Sequence, residues 1–461
     1  FFNHTLSRWL CNEQKQRALR TVRFDVEALK MKAACAVGAK SCIKMSKIAE
    51  GAHNKIYHLE FDNGKEAIAR IPCPVIGRSC ISQVIASEVA TMNFFRSKLK
   101  MKVPRVFAWS RTNEDRGSVG TDYIIMEKID GVPLEQRNHS LTEEHLDVAL
   151  ISDLIDVELL FKTISFSQIG SIYYKEDVET PSLTRAHKPI STSPGIEDDA
   201  YSERFRIGPV LDRLFWHGGR DALSANRGPF SDFLSYLIAL AQLERAWWKR
   251  HGPKYFENHP GPGSTKMALE IFDQIIATAP YLVPKNPEFH EIVFWHTDLH
   301  AANIMISSSG PGRITGIIDW QNLSTGIYFT KACLASAMIY RGDLVQSEPL
   351  FMPALLPPNY DELSPERQKD AQAQLWLGRR LKRYELQVYN LDPLRLRAIL
   401  PTQQRLIQSL LGQIPLASQF GGLITLREHV INIWRYWSDI AEESPCPIHF
   451  GEDDLERHAE E

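Results

Sequence analysis

The sequence is short of several things, and each shortage excludes a class of protein. Seven cysteines among 461 residues form an odd set with no Cys-x-x-Cys pair, which argues against a disulfide framework and a zinc site and for a reducing compartment. Long apolar runs are missing too. The most apolar stretch, residues 233–243, is short and carries Ser235, Tyr236 and Gln242, so no membrane span is expected. Charge of one sign is also scarce: the net charge is −3, which gives no broad basic field for nucleic acid and leaves any phosphate recognition to a local site. An initiating methionine is absent, and residues 1–35 hold seven Lys or Arg against three acids. The expectation is that something upstream was cleaved or omitted, and that residues 1–35 themselves form an amphipathic helix packed on the surface.

With 44% hydrophobic residues, the chain is long enough for two or three packed units around a large core. Its most informative stretch is His296-Thr297-Asp298-Leu299-His300-Ala301-Ala302-Asn303, with Asp319 sixteen residues further on. Apolar segments at 292–295, 304–306 and 314–318, the last two separated by a turn-rich 307–312, read as strand, polar loop and hairpin. A carboxylate and a carboxamide five residues apart in a loop, with a second carboxylate at the end of the hairpin, can converge on one point. Such a point suits activation of a hydroxyl and Mg2+, which takes oxygen ligands and shares them with phosphates. Taken singly, His296 reads as a core histidine, and Asp298 and Asn303 as turn caps.

In chain order, Phe24, Val26, Leu29, Ala33 and Val37 predict a helix ended by Gly38. A turn at Gly51 and Asn54 precedes two apolar runs, 56–61 and 66–71, joined through Asn63-Gly64; this predicts a hairpin with a type I′ turn, whose central residues both take positive φ. Gly51 is a candidate for backbone contact with phosphate. Arg70 lies in the second of these runs, and Glu88 lies on the apolar stripe of a helix over 81–99, beside Val84, Met92 and Phe95. A carboxylate there calls for a cation, and Arg70 is the candidate. Further strands over 103–109 and 123–129 complete a lobe of five short strands with one helix between the third and fourth. The connector Met126-Glu127-Lys128-Ile129 can offer backbone groups to a planar ligand at the junction of two lobes.

Beyond it the sequence predicts a helix over 147–166 and a polar loop or lid over 175–200. Aromatic and Gly-Pro clusters over 205–230 could wall an acceptor pocket. Helices are predicted around Trp247-Trp248, over 266–278, and after Asp319 over 332–340, 365–390, 394–412 and 426–443. The acidic tail 452–461 reads as solvated and frayed.

The pattern His-x-Asp-Leu-x-x-x-Asn over residues 296–303 resembles the catalytic loop of kinase-like enzymes. With Gly-Ile-Ile-Asp-Trp-Gln over 316–321, it resembles the aminoglycoside phosphotransferase and choline kinase branch. More narrowly, residues 5–10, 47–55, 67–72, 87–92 and Arg227-Gly228-Pro229 resemble the fungal altered inheritance of mitochondria protein 9 family, over nearly all of residues 1–440. The resemblance implies an α+β, bilobal protein-kinase-like fold with a small β-rich N-lobe and a large, mostly helical C-lobe. Its expected parts are a helical extension (1–45), a nucleotide-binding N-lobe (46–130), a C-lobe with the catalytic loop and an insert near 170–230 (131–345), and a helical remainder with the tail (346–461).

It also implies ATP in the cleft, against Gly51, Asn54, Arg70, Glu88, Glu127 and Ile129. Asp298 would serve the hydroxyl of a small-molecule acceptor, and Asn303 and Asp319 would hold Mg2+. A mitochondrial address follows from the family, with the cytoplasm as runner-up. Arg70 replaces the usual Lys, the loop at Gly51 lacks further glycines, Trp320-Gln321 replaces Phe-Gly, and no Ala-Pro-Glu follows Asp319. These departures disfavour a protein acceptor and keep a pseudokinase or mitochondrial scaffold as the alternative.

Overall fold

In the computed structural model, residues 1–461 are described apart from 6–7, 10–11, 52, 74, 76–79, 138–143, 179–186, 194–198, 262, 349, 419–421 and 443. Much of the polar loop expected over 175–200 therefore lies outside the described residues. The chain opens with α1 (Glu13–Leu19) and α2 (Val26–Val37), and Gly38 ends the second by taking φ +70° as its C-cap. Strands β1 (Cys42–Glu50), β2 (Asn54–Phe61) and β3 (Glu66–Pro72) follow, then α3 (Ile81–Lys98), β4 (Val106–Trp109), α4 (Asn113–Val119) and β5 (Ile124–Met126). The strands make one antiparallel sheet in the order β1-β2-β3-β5-β4. The first strand thus begins inside the stretch expected to be a helical extension, and α4 was not anticipated. The Asn63-Gly64 hairpin forms, with a different turn. Only Gly64 takes positive φ (+77°), the Gly64 N–H donates to Phe61 O, and the Phe61 N–H donates to Lys65 O; this is a longer loop with one left-handed residue rather than a type I′ turn.

The larger lobe is mostly helical. Around its strands run α5 (Leu134–Arg137), α6 (Glu144–Leu160), α7 (Lys175–Val178), α8 (Phe233–Asn258) and α9 (Thr265–Thr278), then α10 (Tyr328–Lys331), α11 (Pro365–Leu391), α12 (Pro393–Ile399), α13 (Thr402–Gln413) and α14 (Gly422–Arg435). A hairpin of β10 (Ile304–Ile306) and β11 (Ile314–Ile317) pairs with β6 (Val132–Pro133). Strand β9 (Ile292–Phe294) pairs with β12 (Thr325–Ile327), and β7 (Ser171–Tyr174) pairs with β8 (Phe205–Gly208). This is an α+β architecture with a β-rich small lobe and a helical large one, in line with the fold the resemblance implies. Among the described residues no helix is long and apolar enough to cross a membrane.

Two expected features differ. Residues 332–340 are not a helix: α10 ends at Lys331 and Ala332 is extended, because tertiary partners claim the backbone. Ala335 N–H donates to the Tyr384 hydroxyl at 3.1 Å and Ala337 N–H to Leu299 O at 2.9 Å. The acidic tail is helical from Glu452 to Glu460 and docks through Arg427 to Glu461 (3.2 Å) and His458 to Glu428 (2.9 Å).

Behind the loop that follows β9 lies a buried polar network. Arg395 donates to Glu158 Oε2 (2.7 Å) and Asp392 Oδ2 (2.9 Å), Tyr384 donates to Glu158 Oε1 (2.8 Å), and Tyr328 donates to Asp392 Oδ2 (3.1 Å). The Arg395 guanidinium also lies 4.9 Å from the Trp295 ring centre. Arg395 and Glu158 are fully buried, so removing one partner strands charge. Glu158→Ala is expected to destabilise the fold by about 3–5 kcal/mol, read as a lower urea midpoint; a change under about 1 kcal/mol would show that the network contributes little.

Candidate active site

The loop after β9 is built from the backbone outward. His296 is buried, its Nε2 lies 3.2 Å from Ile318 O, and its ring packs edge-on against Trp320 at 5.1 Å. Its role is structural: it ties the loop to the turn after β11. Burial pulls its pKa down to about 4, although the Ile318 carbonyl opposes that shift. Asp298 stands exposed at the loop tip. Asn303 is buried and turns its amide nitrogen to Asp298 O (3.0 Å) and Oδ2 (3.5 Å), which leaves the Asn303 oxygen as the free acceptor. Ile318 N–H donates to Asn303 O at 3.0 Å, so the two ends of the hairpin are clamped together.

Asp319 follows in a left-handed conformation, φ +63°, a strained state for a non-glycine residue. Its Oδ1 is buried with no hydrogen-bond partner among the described residues. Burial pushes this carboxyl up, Arg70 pulls it back, and Asp298 pushes it further. Across the cleft, Arg70 on β3 and Glu88 on α3 are both buried and ion-paired through Arg70 Nη2 and Glu88 Oε2. Burial drives the Glu88 carboxyl up while Arg70 draws it down. The other arm of the guanidinium, Nη1, donates to Gln321 Oε1 at 2.9 Å.

The remaining candidates fall in different places. The side chain of Asn54 does not face open cleft; its amide nitrogen lies 2.9 Å from Gln321 Oε1. Gly51 is exposed, but its own N–H donates to Asn54 O at 2.9 Å, so the turn uses the group expected for phosphate. The turn is braced from the N-terminal side. Burial acts against ionisation of Glu50, yet hydrogen bonds from Lys55, Thr5 and Lys47 hold it down to about 2. At the connector, Glu127 Oε2 accepts from Arg96 (3.0 Å) and from the Arg105 N–H (2.9 Å), and the Glu127 N–H donates to Arg105 O. Among the described residues, no other backbone group takes the Glu127 carbonyl or the Ile129 N–H. Ile129 seats on Gly316, where a Cβ would stand 2.8 Å from Ile129 Cγ2.

Several residues escaped the sequence reading. Gln321 joins Arg70 and Asn54, and its only signal was the break from Gly at that position. Arg213, in the segment after β8, is close enough to Asp319 and His53 to perturb both, and burial together with Arg213 pulls His53 down to about 4. Nothing in the sequence linked 213 to 319. The buried amide of Asn322, also at positive φ (57°), has no hydrogen-bond partner.

Asn303 and Asp319 fit a hard cation, since both offer oxygen and Asp319 Oδ1 is an orphaned buried atom. Among the described residues, no group of three or more His, Cys, Asp or Glu is arranged to hold a metal ion, so such a cation would need oxygens from a substrate or water as well.

The model of a phosphotransferase enzyme family (APH) matches residues 213–330, a span that holds Asp298, Asn303 and Asp319. The family resemblance holds. The chain is 29% identical over 460 residues to a subtelomeric hrmA-associated cluster protein of Aspergillus fumigatus, spanning 90% of this chain and 83% of that one. It is 25% identical over 491 residues to altered inheritance of mitochondria protein 9, mitochondrial, of Yarrowia lipolytica, spanning 100% of this chain and 81% of that one. Among solved structures, a thermostable mutant of aminoglycoside phosphotransferase APH(4)-Ia in ternary complex with ADP and hygromycin B has a TM-score of 0.43 and 13% identity, over 89% of this chain and 98% of that one.

A histidine held at about 4 in the folded chain and near 6.5 when unfolded is protonated only in the unfolded state between those values. Stability therefore falls as pH drops through that window. The full effect is about 3 kcal/mol, and His296→Gln is expected to flatten the fall in urea midpoint between pH 7 and pH 4.5. An unchanged slope would remove His296 from the acid response.

Proposed function

We propose that this chain is an ATP-dependent phosphotransferase that moves the γ-phosphate of ATP to a hydroxyl of a small molecule. The observation that supports it most is the convergence of Asp298, Asn303 and the orphaned oxygen of Asp319 on one side of the cleft, opposite Arg70. In this reading Asp298 orients the acceptor hydroxyl and takes its proton while the oxygen attacks the γ-phosphorus and the bond to the β-phosphate oxygen breaks. Arg70, anchored by Glu88 and Gln321, presents fixed positive charge to the nucleotide phosphates. Asn303 and Asp319 would hold Mg2+, which supplies charge neutralisation at the phosphates when bound. The adenine would meet the Glu127 carbonyl and the Ile129 N–H, and Arg213 and His53 would overlie the phosphate side. Exposure of Asp298 suits a group that must meet a diffusing acceptor. The names of its relatives support a mitochondrial address.

Asp298→Asn is expected to cut turnover by about 100- to 10,000-fold while the Kd for nucleotide stays within about twofold, since this reading gives nucleotide contact to Arg70 and the connector and not to Asp298. ATP with Mg2+ should raise the melting temperature, and EDTA should cancel most of that rise. A folded protein whose melting temperature does not respond to ATP and Mg2+ would sink the reading. Retained turnover in Asp298→Asn would remove the role given to that carboxylate.

A further inference from the structure

The segment ahead of α1 makes a set of contacts that the reaction above does not use. Residues 1–5 form no helix or strand, so only partners elsewhere in the chain fix them. Most of those partners lie on β1 and β2, and they meet the segment through its backbone. Tyr57 donates its hydroxyl to Phe1 O at 2.8 Å, the Val22 N–H donates to Phe2 O at 3.3 Å, and Lys47 and Lys55 each donate to Asn3 O at 3.2 Å. Ring contacts add to this: Phe1 stacks on Tyr57 at 5.9 Å and Phe2 meets Phe24 edge-on at 5.2 Å.

These contacts converge on one carboxylate at the end of β1. Glu50 Oε2 accepts the Thr5 N–H at 3.0 Å, the Thr5 hydroxyl at 3.1 Å and the Lys47 ammonium at 3.0 Å. Glu50 Oε1 pairs with Lys55 and stands 3.0 Å from His4 Nδ1, and the side chains of Glu50, Lys55 and His4 are almost wholly buried. A buried ion pair is favourable only when further hydrogen bonds satisfy its remaining donors and acceptors. Asn3 and Thr5 supply them here.

Glu50 and Lys55 face each other across the β1–β2 register, so the clamped pair is the base of the turn that holds Gly51 and Asn54. Asn54 in turn meets Gln321 Oε1 at 2.9 Å, and the same oxygen accepts Arg70 Nη1 at 2.9 Å. A continuous line of contacts therefore runs from Thr5 through Glu50, Lys55 and Asn54 to Gln321 and Arg70.

We propose that residues 1–5 are a strap that sets nucleotide affinity, with Thr5 and Glu50 as positioning residues that hold the turn and, through Asn54 and Gln321, the Arg70 guanidinium in place for the phosphates. The docking of the strap stands on its own contacts; its effect on ATP rests on the phosphotransfer reading. An element without secondary structure, held by a few hydrogen bonds, opens at lower cost than the strands beneath it. Its release loosens the turn and Arg70 together, and apparent affinity then falls with the fraction of chains that keep the competent arrangement.

Calorimetric titration of the full chain with ATP and Mg2+ separates this from a folding defect, because misfolded chains lower the bound stoichiometry and leave Kd alone. Thr5→Pro, which takes both the N–H and the hydroxyl from Glu50, is expected to raise Kd about tenfold at unchanged stoichiometry, the scale of one lost hydrogen bond to a charged group. Hydrogen exchange at the Gly51 amide should quicken about tenfold in the same variant. Thr5→Ser keeps both donors and should match the unaltered chain. So should Lys44→Ala, which breaks only the exposed pair with Glu60. Should Thr5→Pro fail to fold, Thr5→Val, which removes the hydroxyl alone, should raise Kd about threefold. In a Gln321→Leu chain the Thr5 variant should add little, since the line to Arg70 is already cut. The proposal is overturned if the Thr5 variant leaves Kd within about 1.5-fold of the unaltered chain, or if its effect is as large in the Gln321→Leu chain; either result leaves phosphotransfer standing. An unaltered chain that binds no ATP with Mg2+ removes both readings.

Discussion

A guanidinium held at 3% exposure on the floor of the cleft sets the terms for everything around it. Arginine does not shed its proton on burial as lysine can, so every donor must find an acceptor or remain a cost. Arg70 meets part of that demand with a fork, Nη2 to Glu88 on α3 and Nη1 to Gln321 beyond β11, while its buried Nε has no hydrogen-bond partner among the described residues. Two departures from the kinase pattern thereby explain each other. A compact ammonium would be served by Glu88 alone, but a planar guanidinium presents a second arm, and glutamine at 321 reaches it where glycine would leave it bare. The same contacts tie the small lobe to the catalytic turn, so the position of Asp319 depends on the strand that carries Arg70.

From the other side, the large lobe presses the catalytic loop into place. Trp295 lies against Arg395, His296 against Ile318 and Trp320, and Leu299 accepts the N–H of Ala337. These contacts leave the tip at Asp298 exposed while its supports are buried, so the side chain is both accessible and fixed. The residues proposed to touch nucleotide and acceptor thus come from separate elements, joined by this packing and by the contacts of Arg70 with Glu88 and Gln321.

Some of this was readable from residues alone and some was not, for physical reasons. Glu88 on an apolar stripe required a buried cation, and Arg70 lay one strand away; the pairing follows from the cost of unpaired charge. The hairpin at Asn63-Gly64 was legible as a hairpin, but its turn type depended on a single extra residue that only the register reveals. Residues 332–340 look helical because their composition is apolar, yet bonds to Tyr384 and Leu299 override that local tendency. The tail at 452–460 looks solvated because it is acidic, and it docks because Arg427 supplies a partner from another helix. The approach of Arg213 to Asp319 joins positions more than a hundred residues apart and carries no periodic signal.

What distinguishes the cleft from the structural networks is the backbone that carries its unmet polar atoms. Arg395 gives two of its nitrogens to Glu158 and Asp392 and leaves Nη2 without a partner among the described residues, all from ordinary helical backbone. Asp319 and Asn322, three residues apart, keep buried polar atoms unpaired from left-handed backbone. Strain together with an unmet hydrogen bond at the same two residues lowers stability unless something outside the polypeptide completes the set. Oxygen donors facing a fixed cation favour an occupant that is itself mixed in charge, which a phosphate chain with its counter-ion is.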